Sequence, residues 1–253
     1  MTVTYTSAAD RDTVRTRQRA GVFGVSDLLM WATSCVALVA IGLASTGRSR
    51  VFEASEKQHA DVRIVNLNTV SDAAEIEPAM GALFANGADR RFAARELFRF
   101  LETDRHAGRA PSNVGAVVRA TVRLDALARE QQLEVLARRA QTASETAQTS
   151  GGNRPETIAL FTASDLVAVK PFFVVRTRDA FRLRLLWFGG LYLLGFQLIA
   201  LVWRLRGTRG DRVLLAAAHL LTAVGFALLL SRVDPLRDNL LFVRYTEGIL
   251  VGL

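Results

Sequence analysis

Ionisable residues inside apolar stretches are where this sequence could do chemistry. His219 sits in the middle of VLLAAAHLLTAVGFALLL, residues Val213 to Leu230. Arg244 and Glu247 interrupt a last apolar stretch, Asn239 to Leu253. They stand three apart, so on a helix they are neighbours able to pair. Ionisable groups within a membrane segment mark ion or proton pathways by default. These three are therefore the candidate intramembrane polar sites. For His219, a proton relay competes with a helix-packing hydrogen bond, and its isolation from other titratable groups favours packing. For Arg244 and Glu247, the plainer reading sets both among the outer headgroups.

Other catalytic patterns are missing. His59, His106 and His219 are isolated and have no metal-ligand spacing. Cys35 is the single cysteine and lies in an apolar run, which leaves no disulfide framework and no cysteine metal site. Asp61, Asp72, Glu75, Glu96 and Glu102 supply carboxylates, but scattered as they fall on solvated helix faces. Ser164 belongs to no nucleophile elbow, and Gly151-Gly152 sits in a turn rather than behind a strand. No catalytic residue, no metal ligand and no cofactor is expected.

The elements that must position the polar sites are apolar spans. Leu185 to Trp203 carries no charge, and neither does Val213 to Leu230. A bilayer core takes roughly 20 apolar residues in a helix, and a helix satisfies its own backbone groups there. Buried helices of a large soluble protein are the rival, but soluble helices keep a polar stripe and these have none. Trp187 and Trp203 bracket the first of the pair about 24 Å apart at 1.5 Å per residue, as interfacial belts require. Between the two runs lies RLRGTRGDR, with Arg204, Arg206, Arg209 and Arg212 against Asp211. An earlier uncharged run, Leu28 to Gly47, follows a polar, arginine-bearing start. A signal peptide is its rival reading, because Gly42-Leu43-Ala44 resembles a small-x-small site. Its length exceeds the about 7 to 15 residues of a signal core, so it is read as an uncleaved anchor.

The expected fold is thus an α-helical membrane protein with three full spans and a partial fourth. A small α+β extracytoplasmic domain is inserted between spans one and two. The boundaries are a basic cytoplasmic tail (1–24), spans at 25–47, 183–203 and 213–231, the domain at 48–181, a basic turn at 204–212 and the start of a fourth segment at 239–253. Ser45 to Phe181 holds 19 Lys and Arg against 17 Asp and Glu, so it is nearly neutral and most of the net charge of +8 lies elsewhere. Within that block a strand is expected in Asp61 to Val70, and a capping box at Asp72-x-x-Glu75 opens a helix through about Phe84. Asn86-Gly87 is expected to end that helix. An amphipathic helix covers Asp89 to Leu101, with Phe92, Leu97, Phe98 and Leu101 near one face. Val114 to Ala143 has helical spacing, although its first part could equally be a strand. Strands are expected at Thr157 to Phe161 and Pro171 to Arg176, a helix start at Thr162-x-x-Asp165, and a cap at Thr177 for the next span.

Orientation follows the positive-inside rule, which counts short loops. The four arginines of residues 204–212 keep that turn in the cytoplasm. Ser231 to Asp238 is neutral, with Arg232 and Arg237 against Asp234 and Asp238. The large loop is then outside, although Arg176, Arg178, Arg182 and Arg184 flank the second span on that same side. The basic excess suits lipid headgroups; without a basic patch interleaved with aromatics, no nucleic-acid partner is expected.

The succession VNLNTV, DRRFAARELFRFL and LVAVKPFFVVRT, followed by the stretch from LYLLGFQLIALVWRLRGTRGD through DPLRDNLLFVRYTEGILVGL, resembles an N-terminal extension. It is similar to the one on some large bacterial members of the FtsW/RodA/SpoVE (SEDS) family. The resemblance covers about residues 60 to 253 and is strongest from Lys170. Those proteins are polytopic peptidoglycan glycosyltransferases. The family's catalytic carboxylate lies on an external loop of a polytopic core outside this chain, so no catalytic residue carries over. The resemblance implies a regulatory or interaction module in the bacterial inner membrane, serving cell division or cell shape, with a penicillin-binding transpeptidase among its partners. A second resemblance links VNLNTVSDAAEIEPAM and the following helix to helix-hairpin-helix modules. Phe84-Ala85-Asn86-Gly87-Ala88 replaces the phosphate-binding glycines there, so the two-helix geometry is kept and DNA binding dropped. The alternative function is a stand-alone membrane sensor or assembly factor whose outer domain binds protein or glycan. A transport or enzyme function would have to be built on His219, Arg244 and Glu247.

Overall fold

The computed structural model describes residues 25–58, 64–130, 132–149, 155–207, 211–232 and 234–253. Helix α1 covers Val25–Gln58 and is followed by strand β1, Val65–Asn66. Helices α2 (Ala73–Met80) and α3 (Gly87–His106) come next. A 3-10 turn at Val114–Arg119 leads to strand β2 (Thr121–Arg123), helix α4 (Leu124–Ala128) and helix α5 (Val135–Thr149). Strand β3 (Thr157–Ala159), helix α6 (Ala163–Val169), a 3-10 turn (Lys170–Phe172) and strand β4 (Phe173–Val174) complete the region between the first two long helices. Helices α7 (Arg178–Arg206), α8 (Arg212–Arg232) and α9 (Leu241–Gly252) follow.

Among the described residues the chain is mostly helical, and three helices there are long and apolar enough to cross a membrane: Leu28–Gly47 within α1, then α7 and α8. Each extends past its apolar run. Helix α1 continues to Gln58 rather than stopping at the expected residue 47. At 34 residues it measures about 51 Å, well beyond a hydrocarbon core of about 30 Å. Helix α9 has 12 residues, about 18 Å.

Local signals decide most boundaries. Thr162 and Asp165 form the expected capping box of α6, and the Thr177 hydroxyl accepts from Ala180 N at the start of α7. Asp72 caps α2 as expected, but Glu75 turns one residue further back, accepting from Ser71 N and Oγ at 3.1 and 2.7 Å. Asn86-Gly87 does not close α2; the helix stops at Met80. Asn86 instead caps α3, accepting from Ala88 N at 2.9 Å. Phe92, Leu97 and Leu101 are buried on α3, with Phe98 packed at the edge. The stretch from Val114 at helical spacing, whose first part could equally be a strand, divides into a 3-10 turn, strand β2 and helices α4 and α5; Val114, Val117, Val118, Thr121 and Val122 at its start are β-branched and stiff at χ1.

Helix α5 is capped from a distance. Asp89, fully buried, accepts from Glu134 N, Val135 N and Leu136 N at 3.1, 3.3 and 3.3 Å. A carboxylate there meets the orphan amides and the positive end of the helix dipole.

The strands make two small pairs. Strand β1 runs parallel to β4, with Val65 opposite Phe173. Strand β2 runs antiparallel to β3, with Val122 opposite Ile158. Two cores result. One packs Leu67, Ile76, Met80, Phe84, Leu97 and Phe161 between the long helices' connecting elements. The other packs Met30, Ala37, Tyr192, Phe196, Phe226 and Phe242 among α1, α7, α8 and α9.

Candidate functional site

His219 lies in the second core and is fully buried. Its ring stacks on Phe196 at 4.5 Å and tilts against Tyr192 at 5.5 Å. Nδ1 is 3.2 Å from Thr33 Oγ1 on α1. Thr33 also donates to Met30 O at 3.0 Å, which assigns the Nδ1 proton to His219. Nε2 is then a buried acceptor with no partner. Around the ring the three spans are tied by hydroxyls. Tyr192 OH donates to His219 O at 2.8 Å, Gln197 Nε2 donates to Ser34 Oγ at 2.7 Å, and Tyr245 OH donates to Thr222 O at 3.2 Å. This is a packing knot: the titratable neighbours of the ring are the phenols of Tyr192 and Tyr245, and both hydroxyls are engaged on backbone carbonyls.

Arg244 and Glu247 are both exposed on the outward face of α9, and among the described residues neither has an ion-pair partner. The three candidates are not brought together. Helix α9 is held by its other face instead. A Cβ at Gly195 would stand 2.6 Å from Leu250 Cδ2, and one at Gly225 would collide with the Tyr245 hydroxyl. Glycines on α7 and α8 thus form two notches that receive α9 side chains. A Cβ added at Gly248 or Gly252 would meet nothing within 4 Å.

Of the four arginines expected to set orientation, Arg204 and Arg206 end α7 and Arg212 opens α8, while Arg209 lies outside the described residues. The scattered acids stay scattered. Asp72 caps α2, Glu75 holds Ser71, Glu96 pairs with Arg99, Glu102 is exposed, and Asp61 is outside the described residues. No group of three His, Cys, Asp or Glu converges among the described residues. A cleft of about 700 Å³ beside β2 and β3 is lined by the Arg123–Asp125 pair, Glu156 and Thr157.

The polar centre that sequence reasoning missed is the loop 234–239, between α8 and α9. Leu236 is buried in the bundle core, while both neighbouring arginine sites face the connecting region. The Arg237 guanidinium, 7% exposed, donates to Phe173 O at 3.2 Å, Pro171 O at 2.7 Å and Asp234 Oδ2 at 2.7 Å. Arg176, 9% exposed, donates to Pro235 O at 3.1 Å and Asp238 O at 2.6 Å, and also to Ser112 O. Backbone bonds run beside them: Val114 N to Arg237 O at 2.7 Å and Val175 N to Leu236 O at 2.8 Å. Lys170 pairs with Asp238 at 2.7 Å, and Asn113 donates to Asn239 at 3.1 Å. Asn68 Nδ2 donates to Pro111 O and Val175 O at 3.0 and 2.6 Å, fixing the same corner to β1.

Burial, and after it the charge of Arg184, push Arg176 down to about 10 against the pull of Asp238, so it remains cationic at neutral pH. Two buried cations are held almost wholly by carbonyl oxygens. Such groups are tolerated only when their donors are satisfied. The signal was present in DPLRDN, but Arg176 and Arg237 count as flanking charges until the two segments are known to meet.

At the far side of the connecting region, Arg139 pairs with Asp165 at 2.8 Å. Burial works against the Asp165 carboxylate, yet hydrogen bonds from Thr162 and Arg139 outweigh it and hold its carboxyl below the usual range.

Comparison of the chain with family models, curated proteins and solved structures finds no match, so what it does is argued from its own geometry.

Proposed function

We propose that the chain is a non-catalytic membrane module whose connecting region, residues 64–175, is an interaction domain outside the cytoplasm, held at a fixed angle over a helix bundle. The observation that carries this reading is the clamp of Arg176 and Arg237 on loop 234–239. Its bonds join the region before α7 to the loop after α8, where a flexible tether would need none. Rigid mounting is what a docking or regulatory domain requires to pass a partner's position to membrane helices.

The resemblance to the extension of FtsW/RodA-type proteins supports a narrower form: a bacterial inner-membrane module of peptidoglycan synthesis, in contact with cell-wall enzymes such as a penicillin-binding transpeptidase. Photocrosslinking in bacterial cells tests both forms, with the probe at exposed Val167, Arg91 or Ala128. Crosslinks to a peptidoglycan-synthesis protein support the narrower form. Crosslinks to an unrelated envelope protein leave the broader one and favour a sensor or assembly factor. No protein crosslink at any of these positions sinks the interaction role. Orientation is checked by replacing Cys35 and labelling single cysteines with an impermeant maleimide. A cysteine at Ala128 should react on intact cells, and one at Arg206 only after lysis.

A further inference from the structure

The flank of α7 carries arginines on the side where positive charge is least expected, and a groove begins beside them. Leu183, Leu186, Trp187, Gly190, Leu191 and Leu194 line an apolar groove of about 310 Å³ on the outward face of α7. They recur at helical spacing of three and four, so they form one stripe. Gly190 opens the middle of it, since a Cβ there would meet nothing within 4 Å. Trp187 is 65% exposed at its edge. Arg182 and Arg184 flank Leu183, the first groove residue, and both are exposed. Arg182 reaches Asp179 only at 3.9 Å, while Arg184 has no carboxylate partner among the described residues.

We infer that this groove is a binding site for an anionic glycerophospholipid, with an acyl chain along the Gly190 stripe and its phosphate on Arg182 and Arg184. Charge selects the occupant. A phosphate next to Arg184 offsets the repulsion between Arg184 and buried Arg176, which no apolar partner helix could do. Size agrees. One turn of helix with its side chains, about 10 Å across and 5.4 Å tall, fills on the order of 400 Å³, more than the groove holds, whereas an acyl chain is thinner. The site also gives a reason for arginines that work against the positive-inside pattern: they bind lipid rather than set orientation. The inference needs only that α7 lies in lipid, so it stands apart from the proposed interaction role.

The test is native mass spectrometry of the full chain in detergent, titrated with phosphatidylglycerol or phosphatidylcholine. One phosphatidylglycerol should be retained in preference. In Arg182→Gln and Arg184→Gln that preference should fall about fivefold for each arginine, the effect of one cation near an anionic surface. Gly190→Phe, whose Cβ would meet nothing within 4 Å, puts a ring in the groove and should remove the bound lipid while the thermal midpoint is kept. Equal retention of both lipids by the unaltered chain would overturn the assignment of charge. Unchanged retention in Gly190→Phe would overturn the groove. Loss of a co-purifying protein or of an oligomer in Gly190→Phe, with lipid occupancy intact, would show a helix-docking face instead.

Discussion

Arg176 donates to the carbonyl oxygen of Asp238 at 2.6 Å, across 62 residues and two long apolar helices. This one bond closes a ring from the end of β4 through α7 and α8 and back. Arg176→Ala would leave the carbonyls of Ser112, Pro235 and Asp238 short of a donor in a mostly buried corner. A loss of roughly 2 to 4 kcal/mol is expected, read as a lower thermal midpoint in detergent. Arg176→Lys should recover only part, since one ammonium does not reproduce the planar fork. An unchanged midpoint in the alanine variant would mean the clamp does not hold the two parts together.

Helix α5 depends on a side chain outside itself. Asp89→Ala removes the acceptor for Glu134, Val135 and Leu136 amides, at a cost of about 1 to 2 kcal/mol. Amide hydrogen exchange should quicken first at residues 134–137. Asp89→Asn keeps an acceptor but not the charge, and should fall between the two.

These two features mark the limit of what the residues show by their order. The three long helices are legible because charge is missing for about 20 residues at a time. The caps at Thr162, Asp165 and Thr177 are legible because donor and acceptor lie within three residues. Asp89 and Arg176 do their work 45 and more residues away, and nothing in local spacing distinguishes them from ordinary surface charges. Asn86-Gly87 misled for a related reason. The same dipeptide chemistry ends one helix or begins the next, and only the burial of Phe84 on the link between them decides which.

The two glycine notches should respond differently to one methyl. At Gly195 the opposing atom is the flexible end of Leu250, so Gly195→Ala should cost little. At Gly225 it is the stiff phenol of Tyr245, whose bond to Thr222 O must break. Cysteine crosslinking between α8 and α9 should therefore fail in Gly225→Ala and persist in Gly195→Ala.

His219 separates packing from proton transfer. Replacement by phenylalanine removes an unpartnered buried acceptor, while Thr33 keeps its bond to Met30. The expected change in stability is within about 1 kcal/mol of zero, of either sign. Loss of a membrane-potential-linked activity in His219→Phe, with the fold intact, would reinstate the relay.

Asp165 gives a pH dependence of known sign. Its carboxyl sits below the ordinary value when folded, so the unfolded chain takes up the proton first as acid is added. Its stabilisation is therefore present above about pH 4 and is lost as pH falls through the folded value. The stability gap between the parent chain and Asp165→Asn should narrow on acidification from about pH 5 to pH 2. A gap that stays constant would assign the benefit to shape rather than charge.

The clamp also dictates an order of manufacture. The connecting region is made before residues 234–239, yet Arg176 gains two of its three carbonyl acceptors, those of Pro235 and Asp238, only when they arrive. Until the α7–α8 hairpin is complete, that corner stands open to proteases and chaperones. In the proposed topology, completion of the corner therefore reports that the hairpin was inserted, and a stalled chain would announce itself by remaining digestible.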